Sequence, residues 1–122
     1  MGLPIVAWAA IYEEAMSHGN YAGVNLDLGH WIAGNYGSPL PFMQKHHARI
    51  THLHIKDRLK DGGPNVEFGK GDTPIREVLQ AIRDNKWPIQ AIIEFEIPMP
   101  PTMDRTPAIL KCLDYCKNCL LA

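Results

Sequence analysis

The sequence lacks the features that would tie it to a membrane, to nucleic acid or to a disulfide-built exterior. No apolar run approaches the roughly 20 residues that a membrane-crossing helix needs, and no charged-then-apolar leader opens the chain. Charge of either sign is not in excess: 12 Lys and Arg stand against 13 Asp and Glu, without a basic run. The net charge of -1 therefore exerts no long-range pull on a phosphate backbone or an anionic lipid surface. Cysteine is scarce. Three residues, all near the C-terminus, are an odd number that argues against a disulfide framework and for reduced thiols in a cytoplasmic protein. There is no internal repeat and no low-complexity tract. What remains is a chain of 122 residues, 46% hydrophobic, long enough for one domain with its own core and too short for two.

Hydrophobic spacing predicts four helices alternating with three strands in one domain over residues 1–122. The first helix is expected over 5–18, with Ile5, Trp8, Ala9 and Tyr12 at helical spacing and Gly19 placed to end it. A strand follows over 23–28, where apolar and polar residues alternate. Ser38-Pro39 then opens a helix over 38–47, with Ser as cap and Pro in the first turn. The second strand covers 50–56. Its loop, Arg58 to Thr73, holds four glycines and a proline and is long enough to suggest a function. Thr73-Pro74 begins a helix over 74–86 with Ile75, Val78, Leu79 and Ile82 on one face. The third strand is 90–96, and Thr106-Pro107 opens a final helix over 107–121.

Strands alternating with helices imply parallel βαβ units. Val24, Leu26 and Leu28 share one face, as do Leu53 with Ile55, and Ala91, Ile93 and Phe95. The opposite faces carry Asn25 and Asp27, then His52, His54 and Lys56, then Gln90, Glu94 and Glu96. A parallel strand covered by helices on both sides is apolar on both faces. Here one face is polar, most of all at the C-terminal ends. A (β/α)₈ barrel has this pattern, because its inward face builds the site at the strand C-termini. The expected class is α/β, a partial (β/α)₈ TIM barrel of about three parallel strands. The alternative is a small open sheet with its polar face in water.

Asp27, His54 and Glu94 fall at equivalent late positions of successive strands, as three ligands of one divalent ion would. One imidazole with carboxylate oxygens suits Mn²⁺, Mg²⁺, Co²⁺ or Zn²⁺, and no sulfur ligand narrows the choice. Taken singly, a strand Asp is more often a loop cap and a strand His more often a hydrogen-bonded core residue. His30 lies at the mouth, where it touches substrate or bonds to the loop. His52 reads as an interior hydrogen-bonding residue. Lys56 and Arg58 are candidates to hold a substrate hydroxyl or phosphate, or else pair with Asp57 or Glu96. Glu96 lies one inward step beyond Glu94 and is its rival as ligand. Cys112, Cys116 and Cys119 have the spacing of an iron–sulfur motif, but they also share one helix face, where cysteine packs as a small hydrophobe.

The blocks Asn25-Leu26-Asp27-Leu28-Gly29-His30, His52-Leu53-His54-Ile55-Lys56-Asp57, Gly69-Lys70-Gly71-Asp72-Thr73-Pro74 and Ile92-Ile93-Glu94-Phe95-Glu96 resemble the sugar phosphate isomerase/epimerase family, within the xylose-isomerase-like barrel superfamily. The likeness runs from the first helix to the C-terminus. It implies that Asp27, His54 and Glu94 are the metal ligands of the sixth, seventh and eighth barrel strands, and that His30 binds substrate. It also implies aldose–ketose isomerisation or epimerisation through an enediolate, with Glu94 moving the proton. The partner is then a small sugar or sugar phosphate, not nucleic acid and not a membrane. Abasic-site endonucleases share the superfamily but carry more ligands and a basic groove.

A full barrel takes roughly 250 residues. The family's first ligand, a Glu from the fifth strand, has no counterpart here, since Glu13 and Glu14 lie on the following helix. The chain is thus expected to be the C-terminal part of a barrel, with weak or no turnover alone. It would be completed by an N-terminal barrel part or by further copies in a homo-oligomer; the alternative is a non-catalytic, self-associating module.

Overall fold

The computed structural model describes residues 13–19 and 23–122. Residues 13–17 are helical (α1), and the part of the expected first helix over 5–12 lies outside the described residues. Chain order then runs β1 (Val24–Asp27), α2 (Leu28–Ala33), α3 (Leu40–His46), a 3₁₀ turn (His47–Arg49) and β2 (Ile50–Ile55). A short hairpin of β3 (Asp57–Arg58) and β4 (Asn65–Val66) precedes α4 (Ile75–Asn85), β5 (Gln90–Ile93) and α5 (Thr106–Leu121). Strands β1, β2 and β5 form a parallel sheet in that order, while β3 and β4 pair antiparallel. The fold is α/β, with three of the eight parallel strands of a (β/α)₈ barrel among the described residues.

The sheet is amphipathic for the reason its alternation gives. Val24, Leu26, Leu53 and Ile55 are at most 2% exposed and meet Met43 from α3 and Ile75, Val78 and Leu79 from α4. The period of two breaks once: Val24 pairs with Ile50 but Asn25 with His52, leaving Thr51 as an extra residue. That irregularity lets Ile50 share the buried face with Leu53 and Ile55 while His52 and His54 take the other. Helix α5 lies on α4 with Cys116 and Cys119 in the shared core and Cys112 buried beside them. All three thiols are free, and burial pushes Cys116 up to about 12. Arg83 of α4 closes the packing by donating to the carbonyls of Leu120 and Ala122, which have no partner within α5.

Several element ends depart from the expected ones. Leu28 does not continue β1 but starts α2, because the Asp27 carboxylate caps that helix by accepting from His30 N at 2.9 Å. β5 stops at Ile93 instead of 96, since its pairing partner β2 ends at Ile55. The loop expected over 58–73 contains β4, and Arg58 is itself in β3. No described helix is long and apolar enough to cross a membrane.

Candidate functional site

Three strand ends supply the site. Register sets Asp27 opposite His54, and His54 opposite Ile92. Glu94 therefore stands two residues further along, where its N–H makes a hydrogen bond of 3.0 Å to the Ile55 carbonyl. Two residues is one side-chain period, so all three side chains leave the same face. Ligand atoms of Asp27, His54 and Glu94 lie within 4.8 Å of one another. His54 Nδ1 is 3.0 Å from Glu94 Oε1 and 3.9 Å from Asp27 Oδ2. Asp27 divides its oxygens: Oδ1 caps α2 and Oδ2 faces the site.

Lys56 lies inside this cluster, not at its mouth. Its side chain is 2% exposed, with Nζ 2.9 Å from Asp27 Oδ2, 2.9 Å from Glu96 Oε1 and against Glu94 Oε2. Burial works hardest against its charge, but the close carboxylates of Glu94, Asp27 and Glu96 together outweigh it and raise the ammonium above its ordinary range. Its stem passes α2 at Gly29, where a Cβ would overlap Lys56 Cγ. Gly29 is one residue whose part the sequence reading missed.

The remaining candidates divide. His30 is exposed, with Nε2 3.7 Å from Asp27 Oδ2 and Nδ1 3.1 Å from the Arg58 guanidinium. Arg58 also donates from Nε to the Gly63 carbonyl at 2.9 Å, so the loop and His30 hold it. Glu96 meets Lys56 and not His54, which leaves Glu94 as the carboxylate beside the imidazole. His52 is exposed, its ring bonded only to Thr51 Oγ1 among the described residues. The interior setting expected for it needs strands opposite β2, and the described residues place none there. Asp57 pairs with neither Lys56 nor Arg58. It accepts from the N–H groups of Gly69, Gly71 and Thr73 and ties down the loop. Glu13 is engaged elsewhere, with Lys45 and His46 at 3.0 Å each.

A family model described as xylose isomerase-like TIM barrel matches residues 8–119. The chain belongs to that family. No curated protein matches it. Xylose isomerase-like barrels, like other (β/α)₈ barrels, place their sites at the strand C-termini, and the Asp27–His54–Glu94 cluster stands there. The donor set fits a divalent ion: one imidazole nitrogen, carboxylate oxygens, and a buried Glu94 Oε2 with no well-aligned hydrogen bond, faced only by the Lys56 charge.

Proposed function

We propose that the chain carries the metal-binding part of a sugar or sugar phosphate isomerase or epimerase, with Asp27, His54 and Glu94 as ligands of one divalent ion. One observation carries this reading: donor atoms from three parallel strand ends converge within 4.8 Å in a xylose isomerase-like barrel. The ion, Mn²⁺, Mg²⁺, Co²⁺ or Zn²⁺, supplies Lewis acidity towards a carbonyl and its neighbouring hydroxyl and so acidifies the C–H bond between them. Glu94 is the carboxylate that takes or returns that proton, having one oxygen near His54 and a second free of aligned hydrogen bonds. His30, exposed beside Asp27, meets substrate oxygens, and Arg58 holds the imidazole in place. Lys56 contributes positive charge from inside the cluster.

Three ligands are one short of the set the sequence resemblance implies, so turnover by this chain alone is expected to be weak or absent. Calorimetric titration with Mn²⁺ tests the reading. Saturable binding near one ion per chain, lost in His54→Ala, is the expected result; no saturable binding, either in the wild type or in Lys56→Met, sinks it. Robust epimerase activity of the purified chain would instead overturn the incompleteness.

A second reading rests on a separate observation. On α5, Leu110 and Leu121 are 53% and 85% exposed, and Ile92 on β5 is 38% exposed. Among the described residues β5 pairs with β2 alone. An unpaired strand edge and exposed Leu side chains on α5 each favour association with another copy or another barrel part. Sedimentation of wild type and Leu110→Glu, with and without Mn²⁺, decides it: metal-independent association abolished by the substitution supports a structural module.

A further inference from the structure

We infer that Lys56 is the resident cation of this centre, and that a divalent ion enters only by displacing its ammonium from Asp27 and Glu94 towards Glu96. The inference rests on the metal-centre reading above and adds to it the element that sets metal affinity. Lys56 Nζ stands against Asp27 Oδ2 and Glu94 Oε2, both on residues of the converging triad. An ammonium has three donors and no acceptor. Three carboxylate oxygens crowd this ammonium, and Glu96 Oε1 accepts an aligned hydrogen bond from it at 2.9 Å.

A dication would compete with that ammonium for Asp27 and Glu94. Like charges held by the same carboxylates repel, the more so where water is excluded. The two cations therefore exclude each other. Lys56 has somewhere to go: Glu96 is half exposed at the rim, already 2.9 Å from Nζ, and the four-carbon stem is flexible. Gly29 supplies the slot along which the stem reaches inward, because any side chain there would overlap Lys56 Cγ and Cδ. The geometry thus has a cation already in place, a passage that only glycine leaves open, and a second carboxylate to receive the displaced charge.

Mn²⁺ calorimetry on wild type, Lys56→Met, Lys56→Arg and Gly29→Ala, each checked for folding by circular dichroism, is the test. If Lys56 competes with the ion, Lys56→Met binds Mn²⁺ about tenfold tighter or more. Lys56→Arg, which keeps a cation, does not show the gain. Gly29→Ala, which pushes the stem outward without removing its charge, shifts affinity in the same direction as Lys56→Met and decides the matter if Lys56→Met fails to fold. Unchanged or weaker binding in a folded Lys56→Met, or in Gly29→Ala where that is the folded variant, overturns the competition and makes Lys56 a structural counter-charge. Absence of binding in every variant, wild type included, would sink both the metal-centre reading and this inference. Tightening in Lys56→Met without a shift in Gly29→Ala upholds the competition and shows that the stem does not need the Gly29 slot.

Discussion

Asp57, next to Lys56 in the chain, and the Asp27–Glu94 pair around the Lys56 ammonium are carboxylates satisfied in opposite ways. Asp57, 1% exposed, accepts from the backbone N–H groups of Gly69, Gly71 and Thr73 at 2.8–3.1 Å. Asp27 and Glu94 face His54 and Lys56, which are side chains. Backbone donors cannot leave without unfolding the loop, whereas an imidazole and an ammonium can turn away. A carboxylate bound by backbone is committed to the fold; one bound by side chains is available to a ligand. The same physical need, partners for a desolvated charge, thus produces structure on one side of Lys56 and a candidate site on the other.

The largest expected effect breaks the first half of this contrast. Asp57→Ala removes three charge-assisted bonds and orphans the loop donors, and should cost about 3–5 kcal/mol of stability by denaturant unfolding. Gly71→Ala acts on the same lock, since a Cβ there would overlap Asp57 Oδ1. It should cost about 1–3 kcal/mol. His54→Ala, by contrast, should shift the unfolding midpoint little while abolishing Mn²⁺ binding. If Asp57→Ala melts like wild type, or His54→Ala collapses, the division between fold carboxylate and site carboxylate fails.

The contrast also explains what could be read from the sequence. Asp27, His54 and Glu94 were legible because a parallel sheet fixes which residues share a face and a height, and a polar residue at three strand ends has few other uses. The depth of Lys56 was not legible. A lysine near a strand end ordinarily snorkels to water, and only Gly29, on a different element, lets this one turn inward. Asp57 left a signal in the paired glycines 69 and 71, which mark a close approach of backbone, but their partner is 12 and 14 residues away. Leu26-Asp27-Leu28 alternates like a strand, and the capping bond that turns the chain at Asp27 is invisible to periodicity. β4, two residues long, carries too little pattern to stand out from loop.

Alkaline stability offers a smaller test that separates Lys56 from its surroundings. Its carboxylate partners raise the Lys56 ammonium above the ordinary 10.5, so the folded chain holds that proton after the unfolded chain has released it. The stabilisation is complete below 10.5 and falls as pH climbs beyond that value. Cys116 has the same sign for a different cause: burial raises its thiol from 9.0 to about 12, and the corresponding loss begins near pH 9. Burial raises Cys112 and Tyr115 as well, so denaturant midpoints should decline from about pH 9, and more steeply once Lys56 joins the loss above 10.5. In Lys56→Met the decline above 10.5 should be shallower. A decline that starts in the same place and keeps the same depth in both proteins would show that the Lys56 carboxylates contribute nothing to stability.

The smallest expected effect bears on the one residue that belongs to both halves of the contrast. Asp27 uses Oδ1 for the N–H of His30, which is a backbone bond, and Oδ2 for Lys56, which is a side-chain bond. Asp27→Asn can keep the cap through its amide oxygen while losing the charge that faces Lys56 and any metal. Asp27→Ala loses both. Asn should therefore match wild type in helix capping and differ from Ala by about 1 kcal/mol in unfolding free energy. Neither variant should bind Mn²⁺ as wild type does. Equal stability of Asn and Ala would mean that the cap contributes nothing and that Asp27 is held only by the cluster. Retained Mn²⁺ binding in Asn would mean that the neutral amide oxygen suffices, and that negative charge is supplied by Glu94 alone.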